Sequence, residues 1–338
     1  MLINNLDTHS MGLDGFFVTE QIASGLCSHV LRAVRKRDGL SVVLKCYDAE
    51  NAVPGMFVQT QSGGDEPILR EAYFLQKVQG VNGCVKMVDY FFDESRNQYV
   101  IVLEDLTSLG FTGLTQEILN NDGFLTESSI AWILHETIHT LQQMHELNVL
   151  HCDIKPDNIF IHRGKKQIKL LDFNIANEMI AHELSAQNAG AIGCTPEYAP
   201  PEVLIQRRAW TPASEVWSVG VTAFVLLCKK FPFEDPLTCH RMKPAYPEDL
   251  SVTWERGYQN ESHCRMESKS KSERIAPPLS LRAKDFLISC LYKRPQCRPS
   301  LQRLSAHPFL TPNQFLRVGF NTNSYGLDEQ MRVCTRVS

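Results

Sequence analysis

The sequence predicts an α+β fold in which short strands come first and helices follow. Between Phe16 and Leu103 the apolar residues fall in short runs, rich in Val, Ile and aromatic side chains and broken by turn residues. From Thr126 the period becomes helical, with Ile130, Ile133, Leu134, Ile138, Leu141 and Met144 on one stripe. Between later apolar runs lies a polar stretch, His151-Cys152-Asp153-Ile154-Lys155-Pro156-Asp157-Asn158. Asn148-Val149-Leu150 leads into it and Ile159-Phe160-Ile161 leads out, so two short strands bracket a loop carrying Asp153, Lys155 and Asn158. Asp172 ends the next apolar run, Lys169-Leu170-Leu171. Carboxylates and an amide on loops at strand ends suit a hard cation, and a lysine among them balances phosphate charge.

Composition sets outer bounds. The 338 residues suffice for one large domain or two ordinary ones, and 43% hydrophobic residues support a packed core. A formal net charge of −4 gives no reason to expect nucleic acid or an anionic membrane as the main partner. Eleven cysteines, an odd count without a Cys-x-x-Cys pair, point to free thiols in a reducing compartment. Residues 1–15 lack a basic segment followed by an apolar run, and the longest apolar run, Val219 to Cys228, is too short to span a bilayer. A soluble intracellular (cytoplasmic) protein is expected.

In chain order, Phe16 to Val34 reads as two strands around a turn at Gly25, and Ser41 to Tyr47 as a third strand carrying Lys45. Asp38-Gly39 supplies the hairpin turn before it. Residues 49–65 are loop-like, with Pro54-Gly55 and Gly63-Gly64 as punctuation. A helix is expected from about Pro67 to Gln79, its stripe being Ile68, Ala72, Leu75 and Val78. Val85 to Phe92 and Gln98 to Leu103 read as strands. Thr126-Glu127-Ser128-Ser129 caps the helix that reaches Asn148. Residues 235–278 are polar and aperiodic and read as a surface insertion; Leu279 to Leu291 and Leu301 to Leu304 read as closing helices.

His151-x-Asp153-x-Lys155-Pro156-x-Asn158, followed by Asp172-Phe173, resembles the catalytic and metal-binding loops of eukaryotic-type protein kinases. Lysine two residues after the aspartate is the serine/threonine form of that loop. The resemblance implies a bilobal fold, with a small antiparallel sheet and one helix over about 16–103, a hinge over 104–108 and a mainly helical lobe over 109–310. Residues 1–15 and 311–338 would be an extension and a tail. It also implies ATP and Mg²⁺ as cofactors and a protein Ser/Thr hydroxyl as acceptor. Asp153 would be the catalytic base and Lys155 would steady the transferred group, while Asn158 and Asp172 would hold Mg²⁺. Lys45 resembles the strand lysine. Glu71 resembles its helix partner, with Glu66 as the other carboxylate in reach. Leu103 would guard the adenine pocket and the Glu104 backbone would meet the adenine edge. Ala23, Gly25 and Ser28 fall on the three places of the glycine-rich loop, so one glycine of three remains; Val30 follows them on the ATP side.

The activation segment would run from Asp172 to Glu202 and end in Gly193-Cys194-Thr195-Pro196-Glu197-Tyr198-Ala199-Pro200-Pro201-Glu202. Thr195 is expected beside Asp153 and Lys155, and Glu202 against Arg298. Glu215 stands where the family has an aspartate that binds the catalytic-loop backbone. Two further departures are Cys152, where an arginine often receives an activation-segment phosphate, and Asn174, which follows Phe173 where the family has glycine. Asn174 is expected to take the positive φ of that glycine. Two other functions stay open. One is a kinase-shaped scaffold that holds nucleotide without phosphoryl transfer. The other is a zinc protease, since His135-Glu136-Thr137-Ile138-His139 matches His-Glu-x-x-His. His145 would be a third ligand, but no glycine intervenes to turn the helix, so it points away from the pair.

Overall fold

The computed structural model describes residues 12–25, 28–58, 68–120, 125–179, 193–246 and 279–311. Its first half contains β1 (Phe16–Ser24), β2 (Ser28–Arg35), β3 (Ser41–Asp48), β4 (Phe57–Val58), β5 (Ile68–Leu69), α1 (Arg70–Lys77), β6 (Met87–Asp93) and β7 (Gln98–Glu104). Five of these strands form one antiparallel sheet in the order β1-β2-β3-β7-β6. Alternation along β3 gives the sheet two apolar faces. Val42, Leu44 and Cys46 join Ala33, Val100 and Val102 in a small outer core. Tyr47, Ile101 and Leu103 belong to the main core, together with Ala72, Phe74 and Leu75 of α1.

The second half contains β8 (Thr112–Gly113), α2 (Leu114–Asn120), α3 (Glu127–Glu146), β9 (Val149–Leu150), β10 (Ile159–His162), β11 (Gln167–Leu170) and β12 (Asn177–Glu178). Helices α4 (Pro201–Leu204), α5 (Pro212–Cys228), α6 (Leu281–Cys290) and α7 (Leu301–Ser305) complete it. Thr126 caps α3, its hydroxyl accepting from the Ser129 amide at 3.2 Å. Helix α5 opens on a Thr211–Ser214 capping box with Pro212 in its first turn. Every residue of α5 from Ser214 to Cys228 is buried, as befits a helix surrounded by others. A Cβ at Gly220 would lie 2.5 Å from Cys290 Cβ, so glycine sets how closely α5 and α6 approach.

The α+β architecture expected from sequence is present, with several boundaries moved. Ile68 and Leu69 pair with Phe57 and Val58, so α1 starts at Arg70 and ends at Lys77; Asp65, Glu66 and Pro67 lie outside the described residues. Strand β6 starts at Met87 because the Val85 amide donates to Leu170 O at 3.0 Å, across to β11. The two-residue strands β8 and β12 were not expected; each exists only by pairing, with β10 and β9. Asn174 does not have positive φ; that conformation falls on Asp172 instead, at φ 65°. Seven cysteines among the described residues have free thiols, but Cys297 is disulfide-bonded, against the expectation of free thiols throughout. Residues 247–278 of the expected insertion, and the tail beyond Thr311, lie outside the described residues.

Candidate active site

Strands β9 and β10 hold the ends of the 151–158 loop, and Glu215 of α5 holds its turn. Glu215 Oε1 accepts from the His151 amide at 2.5 Å and the Cys152 amide at 3.0 Å; its Oε2 meets His145 Nε2 at 2.5 Å. The extra methylene relative to aspartate is therefore accommodated. Cys152 has φ 67°, a left-handed backbone rare outside glycine, and the carboxylate hydrogen-bonded at that bend helps offset the strain. The His151 ring accepts from the Asp153 amide at Nδ1 and, in that tautomer, donates from Nε2 to Leu171 O at 2.9 Å. It also packs on the Phe173 ring, with centroids 4.9 Å apart.

Asp153 is 5% exposed and both its oxygens are held. Oδ2 accepts from Lys155 Nζ at 2.6 Å and Asn158 Nδ2 at 2.9 Å, while Oδ1 accepts from Thr195 Oγ1 at 2.8 Å. Lys155 Nζ also donates to Thr195 Oγ1 at 2.6 Å, which closes a triangle between the 151–158 loop and the 193–202 stretch. Asn158 Nδ2 further donates to Asp153 O at 2.9 Å. With its amide nitrogen turned to Asp153, Asn158 has its oxygen left for a cation. That oxygen and the Asp172 carboxylate are a hard-donor set suited to Mg²⁺, which takes few protein ligands and keeps water and phosphate oxygens.

Lys45 of β3 joins the two halves. Its Nζ lies 2.7 Å from Glu71 Oε2 and 2.8 Å from Asp172 Oδ1. Burial alone would lower the Lys45 pKa, but Glu71 and Asp172 outweigh it and raise the value well above the ordinary one. Burial pushes Asp172 up and Lys45 pulls it down further, so its carboxyl lies below the ordinary range.

At the far end of the segment, Glu202 and Arg298 pair in bidentate fashion, with Nη1–Oε1 at 2.6 Å and Nη2–Oε2 at 2.9 Å. Ser214 Oγ adds a bond to Glu202 at 3.1 Å, and Arg298 also donates to the carbonyls of Ala213, Tyr292 and Lys293. This buried pair is fully hydrogen-bonded and lies away from the Asp153 cluster.

A family model for the protein kinase domain matches residues 16–310. The chain belongs to the protein kinase domain family. This kinase domain is 28% identical to the calcium/calmodulin-dependent protein kinase cmkA of Emericella nidulans, over 78% of its own length and 57% of that protein's. It is 28% identical to the death-associated protein kinase dapk-1 of Caenorhabditis elegans, over 72% of its length but 15% of that protein's. Myosin light chain kinase family member 4 of Homo sapiens is 26% identical over 88% of the chain and 66% of that protein. The chain thus spans little more than half of the first relative and a small part of the second.

In the kinase domain, Leu103 is buried in β7 and Glu104 is the last residue of that strand. The Glu104 side chain turns to Lys169 Nζ at 2.7 Å and the Lys86 amide at 2.9 Å, and the Glu104 amide donates to Lys86 O at 3.0 Å. Asp105 follows, buried, accepting from Ser41 Oγ at 2.8 Å and from the Thr107 amide at 3.1 Å. Ala23 pairs with Val30 across the β1–β2 hairpin, and the Gly25 amide donates to Ser28 O at 2.8 Å. A Cβ at Gly25 would meet Ser28 O at an ordinary 3.5 Å, so the hairpin itself does not demand glycine there. Leu26 and Cys27 lie outside the described residues.

The His-Glu-x-x-His residues take separate partners. His135 meets Glu136, His139 meets Gln143, and His145 meets Glu215. Among the described residues no three His, Cys, Asp or Glu side chains gather where a metal could bind. Cys152 lies in an apolar cluster with Leu150, Val203, Leu204 and Trp210. Burial, with Glu215 and Asp153 nearby, pushes its thiol well above the ordinary range, which marks a packed thiol and no reactive one. Sequence reasoning missed Tyr47, whose hydroxyl donates to Glu71, and Glu178, which meets Tyr73 and Lys77 of α1. Neither position belongs to a local motif. No helix among the described residues is long and apolar enough to cross a membrane.

Proposed function

We propose that the chain is an active serine/threonine protein kinase that transfers the ATP γ-phosphoryl group to a protein hydroxyl. The observation that carries this reading is the convergence of Lys45, Glu71 and Asp172, which brings the strand lysine, the helix carboxylate and the metal-loop acid to one point. In this reading Lys45, held by Glu71, binds the nucleotide phosphates. Ala23, Gly25, Ser28 and Val30 cover the nucleotide, and Leu103 with the Glu104 backbone bounds the adenine side. Asn158 and Asp172 hold Mg²⁺, which when bound neutralises charge on the β- and γ-phosphates. Asp153 takes the proton of the acceptor hydroxyl, and Lys155 lies beside it to meet the transferred group. Phe173 and Asn174 shape the metal loop. Glu202, Arg298 and Glu215 keep the segment and loop in place.

The departure at Cys152 bears on regulation. Cys152 itself supplies no cation where an arginine would receive an activation-segment phosphate, so activity is expected without one. Ser185, the site to vary, lies outside the described residues; S185A should keep wild-type activity, and a strict need for phosphate on Ser185 would overturn this.

The glycine-poor loop favours a second reading, a nucleotide-holding scaffold. Transfer of labelled γ-phosphate from Mg-ATP to a basic protein and to the chain itself decides between them, with D153N run in parallel. Transfer by wild type alone supports the kinase. Nucleotide binding without transfer by either protein supports the scaffold.

A further inference from the structure

Tyr47 lies two residues beyond Lys45 on β3, so both side chains leave the sheet on the face that meets α1. Its hydroxyl donates to Glu71 Oε2. Lys45 Nζ meets the same oxygen at 2.7 Å and sits 5.6 Å from the centre of the Tyr47 ring. Tyr47 is 5% exposed and Glu71 4%, so this carboxylate is shielded from bulk solvent. None of the motifs discussed above includes position 47.

We propose that Tyr47 is a positioning residue whose hydroxyl fixes the Glu71 carboxylate, and with it α1, in the arrangement that aims Lys45 at the nucleotide. The inference rests on the kinase reading. Lys45 has two acidic partners here, Glu71 and Asp172. When Asp172 serves a metal and Lys45 serves phosphate, Glu71 retains the lysine only if something else fixes its own position. Helix α1 contributes little to that by itself. It has eight residues, and its N-cap, Leu69, makes no side-chain capping bond. Burial and the neighbouring Glu71 push the Tyr47 phenol upward, so it remains a donor across the working pH range. A tyrosine present only to fill space would be replaced by phenylalanine without loss, since the ring is kept.

The test is a double-mutant cycle of wild type, Y47F, E71A and the double variant. Three measurements are made on each: the Kd of a fluorescent ATP analogue with Mg²⁺, steady-state kinetics giving kcat and KM for ATP, and hydrogen exchange at the α1 amides. Y47F should raise Kd and KM about tenfold, the value of one hydrogen bond to a charged group, with a smaller change in kcat. Exchange over 70–77 should quicken while the melting temperature stays near that of wild type. In the E71A background, Y47F should add nothing. Unchanged Kd and α1 exchange in Y47F would overturn the proposal, as would an equal loss with Glu71 already absent. Failure of wild type to transfer phosphate would overturn the kinase reading, while the binding and exchange cycles would still decide the role of Tyr47.

Discussion

Asp153 has its two oxygens divided among three donors, Lys155, Asn158 and Thr195, so replacing any one of these leaves the carboxylate partly held. Replacing the carboxylate itself is different. D153N should lower kcat by about 10²–10⁴-fold, the usual worth of a general base, with the Kd for Mg-ATP little changed. T195A removes one donor to Asp153 and one acceptor for Lys155; it should lower kcat more than it alters KM for ATP, and T195S should restore most of the loss. The Lys45–Asp172 pair gives a pH prediction. Asp172 has a folded pKa below its ordinary 3.8, so its stabilising contribution is present above about pH 4 and lost as pH falls through the depressed value. The melting-temperature gap between wild type and D172N should therefore close below pH 4. The grouping of Asp153, Lys155 and Asn158 was legible in sequence because their spacing along one loop is local, while the roles expected of them come from the resemblance. Partners such as Tyr47 and His145 were not legible, because nothing in a tyrosine two residues past a strand lysine, or in a histidine near a helix end, announces a carboxylate brought from 24 or 70 residues away.

At the scale of elements, α1 is gripped on both sides. Inside, Glu71 meets Lys45 and Tyr47; outside, Tyr73 and Lys77 meet Glu178 of β12. The two grips differ in burial, and burial decides their worth. Glu178 is 47% exposed, so its ion pair is solvated and screened. E178Q should cost less than about 1 kcal/mol in urea unfolding, and the difference should shrink further in high salt. The sheet strands and α3 were legible from period and caps, signals carried within their own residues, whereas α5 is buried on every side and shows no stripe. The start of α1 was not legible, because Ile68 and Leu69 fit a helical stripe equally well and were drawn into pairing with Phe57 and Val58. Strands β8 and β12 have two residues each, too few for any periodicity.

Across the whole molecule, one buried cluster runs from Leu75 of α1 through Phe173 to α3 and α5, and the Glu202–Arg298 pair ties positions 96 residues apart. Breaking that pair by R298M leaves a buried carboxylate with one serine donor, and should cost about 3–5 kcal/mol in chemical denaturation. Replacing both members with apolar residues of similar volume should recover part of the loss. The pairing of Glu202 with Arg298 could be expected from sequence only through resemblance, since no local rule links residues so far apart. By itself the sequence determined the α+β class, the order of the main strands and helices, and the grouping of Asp153, Lys155 and Asn158 on one loop. Those depend on periodicity, capping and spacing, which are short-range properties of the chain. Only the tertiary structure decided that Lys45 meets Glu71 with Tyr47 on the same oxygen, that Asp172 and not Asn174 takes the left-handed backbone, and that His145 serves Glu215. Each of these is a contact between distant segments or a strain tolerated because distant segments hold it, and packing alone determines which side chains end within hydrogen-bonding distance.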